Sequence, residues 1–165
     1  MEVHYQSVYN GVSLTRLPTD CGHTRGYFSM RRTAHKQKTT RHRGAGQLRI
    51  IGGQWRGRKL NFADGEGLRP TMDRVRETLF NWLMADVQDS HVLDMFAGSG
   101  VLGLEALSRY ATSAVFIEYN RTAAQNIEKN LATLKTQANV LCGDALTVVK
   151  SLSGPFDLVF IDPPF

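Results

Sequence analysis

The chain has 165 residues, 42% hydrophobic and 21% charged, with two cysteines and a formal charge of +5. That is the length and mix of one globular domain, with too few cysteines for a disulfide-stapled mini-protein and no apolar run of the ~20 residues a membrane helix needs. The basic balance fits an anionic partner such as nucleic acid.

The charge is concentrated at the front. Residues 1–50 hold nine Lys/Arg and two acids, whereas residues 51–165 hold eleven and thirteen. Residues 1–47 show neither helical nor strand periodicity, so a basic, mostly disordered extension is expected there. Within it, RRTAHKQKTTRHR (31–43), which includes Arg41 and Arg43, reads as a flexible phosphate-binding arm or as a solvated linker. The segment also reads as upstream sequence ahead of a native start at Met30, or, being acid-poor and rich in Arg, Ser and Thr, as an organelle transit peptide. Cys21 and His23 lack a second ligand pair at zinc spacing, so no metal site is expected.

Order is expected from Leu48. Leu48–Ile51 is a short apolar run, Gly52-Gly53 a turn, and Gln54–Phe62 a second extended run. Together they predict an N-terminal β-hairpin over 48–62. Its second run carries Trp55, Arg56, Arg58 and Lys59, which suit contact with RNA phosphates or simply a charged, solvated face. Pro70 and Thr71 then stand where a helix starts. Met72, Val75, Leu79 and Leu83 follow at helical spacing, with Phe80 and Trp82 widening the buried stripe.

From His91 the pattern alternates. Strands are expected at 92–96, 113–118, 138–142 and 156–161, and helices at 101–110, 121–134 and 145–152. Nearly continuous apolar strands between helices predict an α/β fold with a parallel sheet covered on both faces. The fourth strand would be left as an exposed apolar edge. Cys142, at a strand end, reads as a core thiol. Ligands in such sheets bind beyond the carboxyl ends of the strands. Those ends carry Asp94 with the loop Phe96-Ala97-Gly98-Ser99-Gly100, then Glu118, then Gly143-Asp144, then Asp162-Pro163-Pro164-Phe165.

The stretch GSGVLG (98–103) matches G-x-G-x-x-G, and Glu118 lies 20 residues after Gly98. That combination serves any adenosine-containing cofactor, a dinucleotide included. Asp94, close ahead of the glycines, would repel a pyrophosphate but can hold the ammonium of a methionine moiety. In the last corner the prolines fix φ and remove N–H donors. The Asp162 carboxylate and the Pro163 carbonyl remain as acceptors beside the flat ring of Phe165. Acceptors next to an aromatic platform suit the exocyclic amine of a nucleobase.

DMFAGSG together with DPPF resembles the S-adenosylmethionine-dependent amino-methyltransferases. QLRIIGGQWRGRKL, LRPTMDRVRETLFNWL, LDMFAGSGVLGLEALSRYA and DPPF, in that order from Gln47 to Phe165, resemble the bacterial 16S ribosomal RNA guanine-N2 methyltransferases of the RsmD family. The resemblance implies a Rossmann-like methyltransferase core over 71–165, incomplete at its C-terminal side because the family continues beyond DPPF. It implies S-adenosyl-L-methionine as cofactor and no metal. It also implies 16S rRNA as partner, met in the cytoplasm within a small-subunit assembly particle. By the same resemblance Glu118 binds the ribose hydroxyls, and Asp144 accepts from the adenine amine, a role compatible with capping the next helix. Asp94 and the backbone of Ala97–Gly100 hold the methionine portion, with Thr71, Asp73 and Arg74 closing over its end. Asp162, Pro163, Pro164 and Phe165 then present the guanine amine. The rival readings are a nicotinamide-dependent oxidoreductase, a DNA amino-methyltransferase, and an inactive RNA-binding fragment.

Overall fold

The computed structural model describes residues 7–9, 12–17, 25–30, 46–62 and 72–163. Three strands come first: β1 (Ser7–Tyr9), β2 (Val12–Leu17) and β3 (Arg25–Met30). The hairpin strands are β4 (Gly46–Arg49) and β5 (Lys59–Phe62), and helix α1 is Asp73–Trp82. The alternating part runs β6 (His91–Asp94), α2 (Val101–Ser108), β7 (Ser113–Glu118) and α3 (Arg121–Leu134). It continues with β8 (Asn139–Cys142), the short α4 (Ala145–Val148) and β9 (Leu158–Ile161).

One seven-stranded sheet has the order β1-β2-β3-β9-β6-β7-β8. The strands β3, β9, β6, β7 and β8 are parallel, and β1 and β2 are antiparallel additions. This revises two expectations. Residues 7–9, 12–17 and 25–30 form strands despite their lack of periodicity. The last strand, β9, is not an exposed edge, because Gly26–Ser29 pair with Leu158–Ile161. The physical reason is common to both. An apolar strand with unpaired N–H and C=O groups is a template for another strand, and that pairing outweighs a weak local preference.

Alternation along each strand builds two cores. Val92, Ala114, Phe116, Leu158 and Phe160 face a large cluster with residues of α1, α2, α3 and the hairpin, whereas Leu93, Ile117 and Val159 face Ala145 of α4. Phe80 of α1 meets Phe160 edge-on at 5.9 Å between ring centroids. Trp82 departs from the expected buried stripe: it is 41% exposed, while Phe80 is fully buried. The two lie two residues apart on the helix and so point to different sides.

The hairpin is shorter than its sequence pattern. Leu48, Leu60 and Phe62 alternate inward across the β4–β5 ladder. Gly53–Trp55, however, form a single 3-10 turn, so Trp55, Arg56 and Arg58 lie in the connection and only Lys59 begins the second strand. Gly53 has φ +72°, and a Cβ there would lie 1.8 Å from the Ser108 carbonyl oxygen. Close docking on α2 bends the chain where extended pairing was expected.

Candidate active site

The parallel strands bring their carboxyl ends to one rim. Asp94 ends β6 and is 2% exposed. Its Oδ2 accepts from the Gly103 N–H at 3.2 Å, which ties the strand end to α2. Burial pushes its pKa from the ordinary 3.8 up to about 7. The Gly103 bond opposes that shift, and the neighbouring Asp162 and Glu118 carboxylates add to it. Asp162 and Glu118, at two other strand ends, therefore share one field with Asp94.

The glycine loop lies between them. Gly98 and Gly100 have φ of +55° and +75°, a region that costs a side-chain-bearing residue energy. Gly103 serves a different end: a Cβ there would lie 2.2 Å from the Phe116 ring, so its absence lets α2 rest on β7. Glu118 grips the loop. Its Oε2 accepts from Gly98 N–H at 2.6 Å and its Oε1 from Asn120 N–H at 2.7 Å. Each carboxylate oxygen retains further acceptor capacity. Phe96 and Ser99 are half-buried along the loop and Ala97 is buried, its N–H donating to Ile117 O at 2.9 Å.

Asp144 is exposed at the next strand end and caps α4, accepting from the Thr147 N–H at 2.9 Å and Thr147 Oγ1 at 2.8 Å. Tyr119 was not anticipated. It directly follows Glu118 and is 80% exposed, and an aromatic residue next to a strand-end acid was its available signal. Cys142 is exposed, contrary to the expected core thiol, and its Sγ donates to the Tyr119 carbonyl at 3.7 Å. It ends β8, an edge strand with a paired neighbour on one side only. Asp162 and Pro163 follow β9 and are half-buried. Pro164, Phe165, Thr71, Arg41 and Arg43 lie outside the described residues. Asp73 pairs with Arg49 at 3.3 Å and with Arg76, and Arg74 is exposed on the first turn of α1.

The expected RNA-contacting residues stand elsewhere. Helix α2 begins at the rim and ends beside the amino ends of the strands, where Asp89 N–H bonds to Tyr110 O and Thr112 N–H to Ser90 O just ahead of β6. The turn bearing Trp55, Arg56 and Arg58 docks on that far end through Leu107 and Ser108. Eight helical residues separate the two places, about 12 Å. Trp55 packs partly against the core. Two buried charges also escaped the sequence reading: Arg76 is 1% exposed and Glu105 is fully buried. Both sat in apolar stripes, Arg76 four residues before Phe80 and Glu105 within VLGLEAL, and an ionic residue there signals a buried pair.

Parallel strands with helical crossovers, a glycine loop opening α2 and an acid ending the adjacent strand define a Rossmann-like methyltransferase domain. A family profile described as conserved hypothetical protein 95 matches residues 48–165, and the chain belongs to that family, the RsmD family. The ribosomal RNA small subunit methyltransferase D of Escherichia coli K12 is 57% identical over 129 residues, which are 78% of this chain and 65% of that protein. The chain thus spans a little under two thirds of that relative's length. The solved structure of the putative methyltransferase yhhF from E. coli superposes with a TM-score of 0.68 at 55% identity, covering 73% of this chain and 65% of that one. A 16S rRNA N2-guanine methyltransferase (RsmC) from T. thermophilus, solved with AdoMet and guanosine, has a TM-score of 0.57 at 26% identity over 74% of this chain and 33% of its own.

Proposed function

We propose that this chain carries the cofactor-binding and amine-presenting parts of an S-adenosylmethionine-dependent methyltransferase acting on the 2-amino group of a guanine in 16S rRNA. The observation that carries the reading is the convergence of Asp94, Glu118 and Asp162 around the Gly98–Gly100 loop. These residues fit the cofactor. Asp94 is a buried carboxyl that a ligand ammonium would stabilise as its anion, and Glu118 offers acceptor capacity to a ribose diol. Asp144, after β8, and the exposed Tyr119, next to Glu118 at the end of β7, would be available to the adenine. When bound, the cofactor supplies an electrophilic methyl group on a sulfonium.

The protein's own contribution is placement. The guanine 2-amino lone pair is delocalised into the ring and is a poor nucleophile. Hydrogen bonds from its protons to the Asp162 carboxylate and the Pro163 carbonyl favour a pyramidal nitrogen and aim its lone pair outward. Asp162 then holds the proton that the nitrogen releases, or passes it to water. Positioning and fixed acceptors supply the rate, with no need of a strong base. The base must leave its stack to reach this corner, which costs least in a loop.

The test is twofold. Calorimetry with S-adenosylmethionine should give saturable binding by the purified chain. Labelled-methyl transfer to 16S rRNA, followed by digestion to nucleosides, should give N2-methylguanosine. Methylated adenosine, or binding of NAD in place of S-adenosylmethionine, would overturn the reading.

A further inference from the structure

The turn between β4 and β5 is fixed far more firmly than a surface connection requires. Within it, Ile50 N–H donates to Arg58 O at 2.9 Å, Gly57 N–H to Ile50 O at 2.8 Å and Arg58 N–H to Trp55 O at 3.0 Å. From α2, the Glu105 carboxylate accepts from the N–H groups of Ile51 and Gly52 at 2.9 and 2.7 Å. Ser108 Oγ donates to Gly52 O at 2.6 Å and accepts from Trp55 N–H at 3.0 Å. Glu105 is itself held by Arg76 at 3.4 Å and Arg109 at 2.9 Å. On this platform Arg56, Gly57, Arg58 and Lys59 are consecutively exposed. The Arg58 guanidinium reaches Thr133 O at 3.2 Å, in the last turn of α3. Lys129 and Lys135, also exposed, flank that carbonyl in sequence, and Glu128 is the one exposed carboxylate of the same stretch.

We propose that Arg56, Arg58 and Lys59 together with Lys129 of α3 and Lys135, just past its end, form a rigid anchor for the RNA phosphate backbone, separate from the methyl-transfer rim and on the side of the strands' amino ends. The proposal rests on the rRNA-methyltransferase reading and adds a second grip to it. A pre-ordered cationic turn loses little freedom on binding. Planar guanidiniums match phosphate geometry, and lysines add point charge. Trp55 is engaged with the core, so this surface addresses the backbone and leaves base identity to the rim. The length of α2 keeps the anchored phosphates distinct from the target nucleotide. Glu105, which touches neither RNA nor cofactor, is a positioning residue for the turn.

The experiment compares the full chain with an Arg56→Glu, Lys135→Glu double variant and with Arg56→Ala, Arg58→Ala, Lys135→Ala. Arg56 and Lys135 are exposed, so their replacement leaves the packed turn in place. Affinity for a 16S rRNA fragment is measured by fluorescence anisotropy over a salt series, alongside S-adenosylmethionine binding by calorimetry. The triple variant should bind RNA about tenfold or more weakly, with a salt slope shallower by about 2–3, each lost phosphate contact accounting for roughly 0.7–0.9. Cofactor affinity and kcat at saturating RNA should stay unchanged. Unaltered RNA affinity and salt slope in both variants would overturn the anchor, as would a fall in kcat at saturating RNA. Failure of the parent chain to bind S-adenosylmethionine would instead count against the methyltransferase reading, and the anisotropy series would still decide on the anchor.

Discussion

Burial keeps Asp94 protonated up to about pH 7, and this gives the fold a pH dependence that one substitution can remove. In the unfolded chain an aspartate loses its proton near pH 4. Between roughly pH 4 and 7 the folded chain holds a proton that the unfolded chain has released, so the contribution of Asp94 falls as pH rises. Above pH 7 the cost is fully present, on the order of 4 kcal/mol. Asp94→Asn keeps an acceptor for the Gly103 N–H. It should match the parent's urea midpoint near pH 4 and exceed it at pH 8, and parallel curves would contradict the buried-acid account. The other two acids should separate binding from chemistry. Glu118→Ala should weaken S-adenosylmethionine binding roughly 10- to 150-fold, the worth of charged hydrogen bonds. Asp162→Ala should leave that affinity nearly intact and slow single-turnover methyl transfer roughly 100- to 1,000-fold, by analogy with losing one preorganised transition-state contact. Calorimetry and single-turnover assays on the same preparations read both effects. At this scale the acids of the rim were legible in sequence because strand ends can be counted. Cys142, Trp82 and Glu105 were not, because burial depends on which strand is outermost and which helix face meets a neighbour.

At the scale of elements, α2 joins the two ends of the molecule. Its first turn contacts Asp94 through Gly103, and its last turns hold the hairpin through Glu105 and Ser108. Glu105→Ala would strip two hairpin N–H groups of their acceptor and take one carboxylate from buried Arg76, so a loss of about 3–5 kcal/mol is expected. Hydrogen exchange should show the Ile51 and Gly52 amides opening well before the strands β6 and β7. If their protection were unchanged, Glu105 would not be what holds the turn. The strong helices and strands from His91 onward were readable from periodicity alone. The hairpin was readable as a pair of strands, yet its turn was not. Residues 54–58 look extended in isolation and are bent by hydrogen bonds to α2, a partner some fifty positions away.

For the molecule as a whole, the sheet is the deciding unit. β9 lies between β6 and β3, and its pairing with β3 covers backbone groups that would otherwise meet solvent. Deleting residues 1–30 should therefore leave Leu158–Ile161 as an open apolar edge and promote self-association. Light scattering would show a concentration-dependent rise in mass, whereas a monomer at all concentrations would mean that the strand is dispensable. The sequence by itself determined the α/β class, the order of elements from residue 73 and the family. It also placed Asp94, Glu118, Asp144 and Asp162 at strand ends, since periodicity, glycine spacing and strand-end position are local properties. Only the tertiary structure decided that a non-periodic front segment pairs with the last strand. It alone decided, too, that a buried Glu105 fixes the basic turn and that this turn stands beside the strands' amino ends, opposite the rim. Each of these depends on hydrogen bonds and charge pairs between residues far apart in the chain, and no local pattern encodes which distant partner will satisfy them.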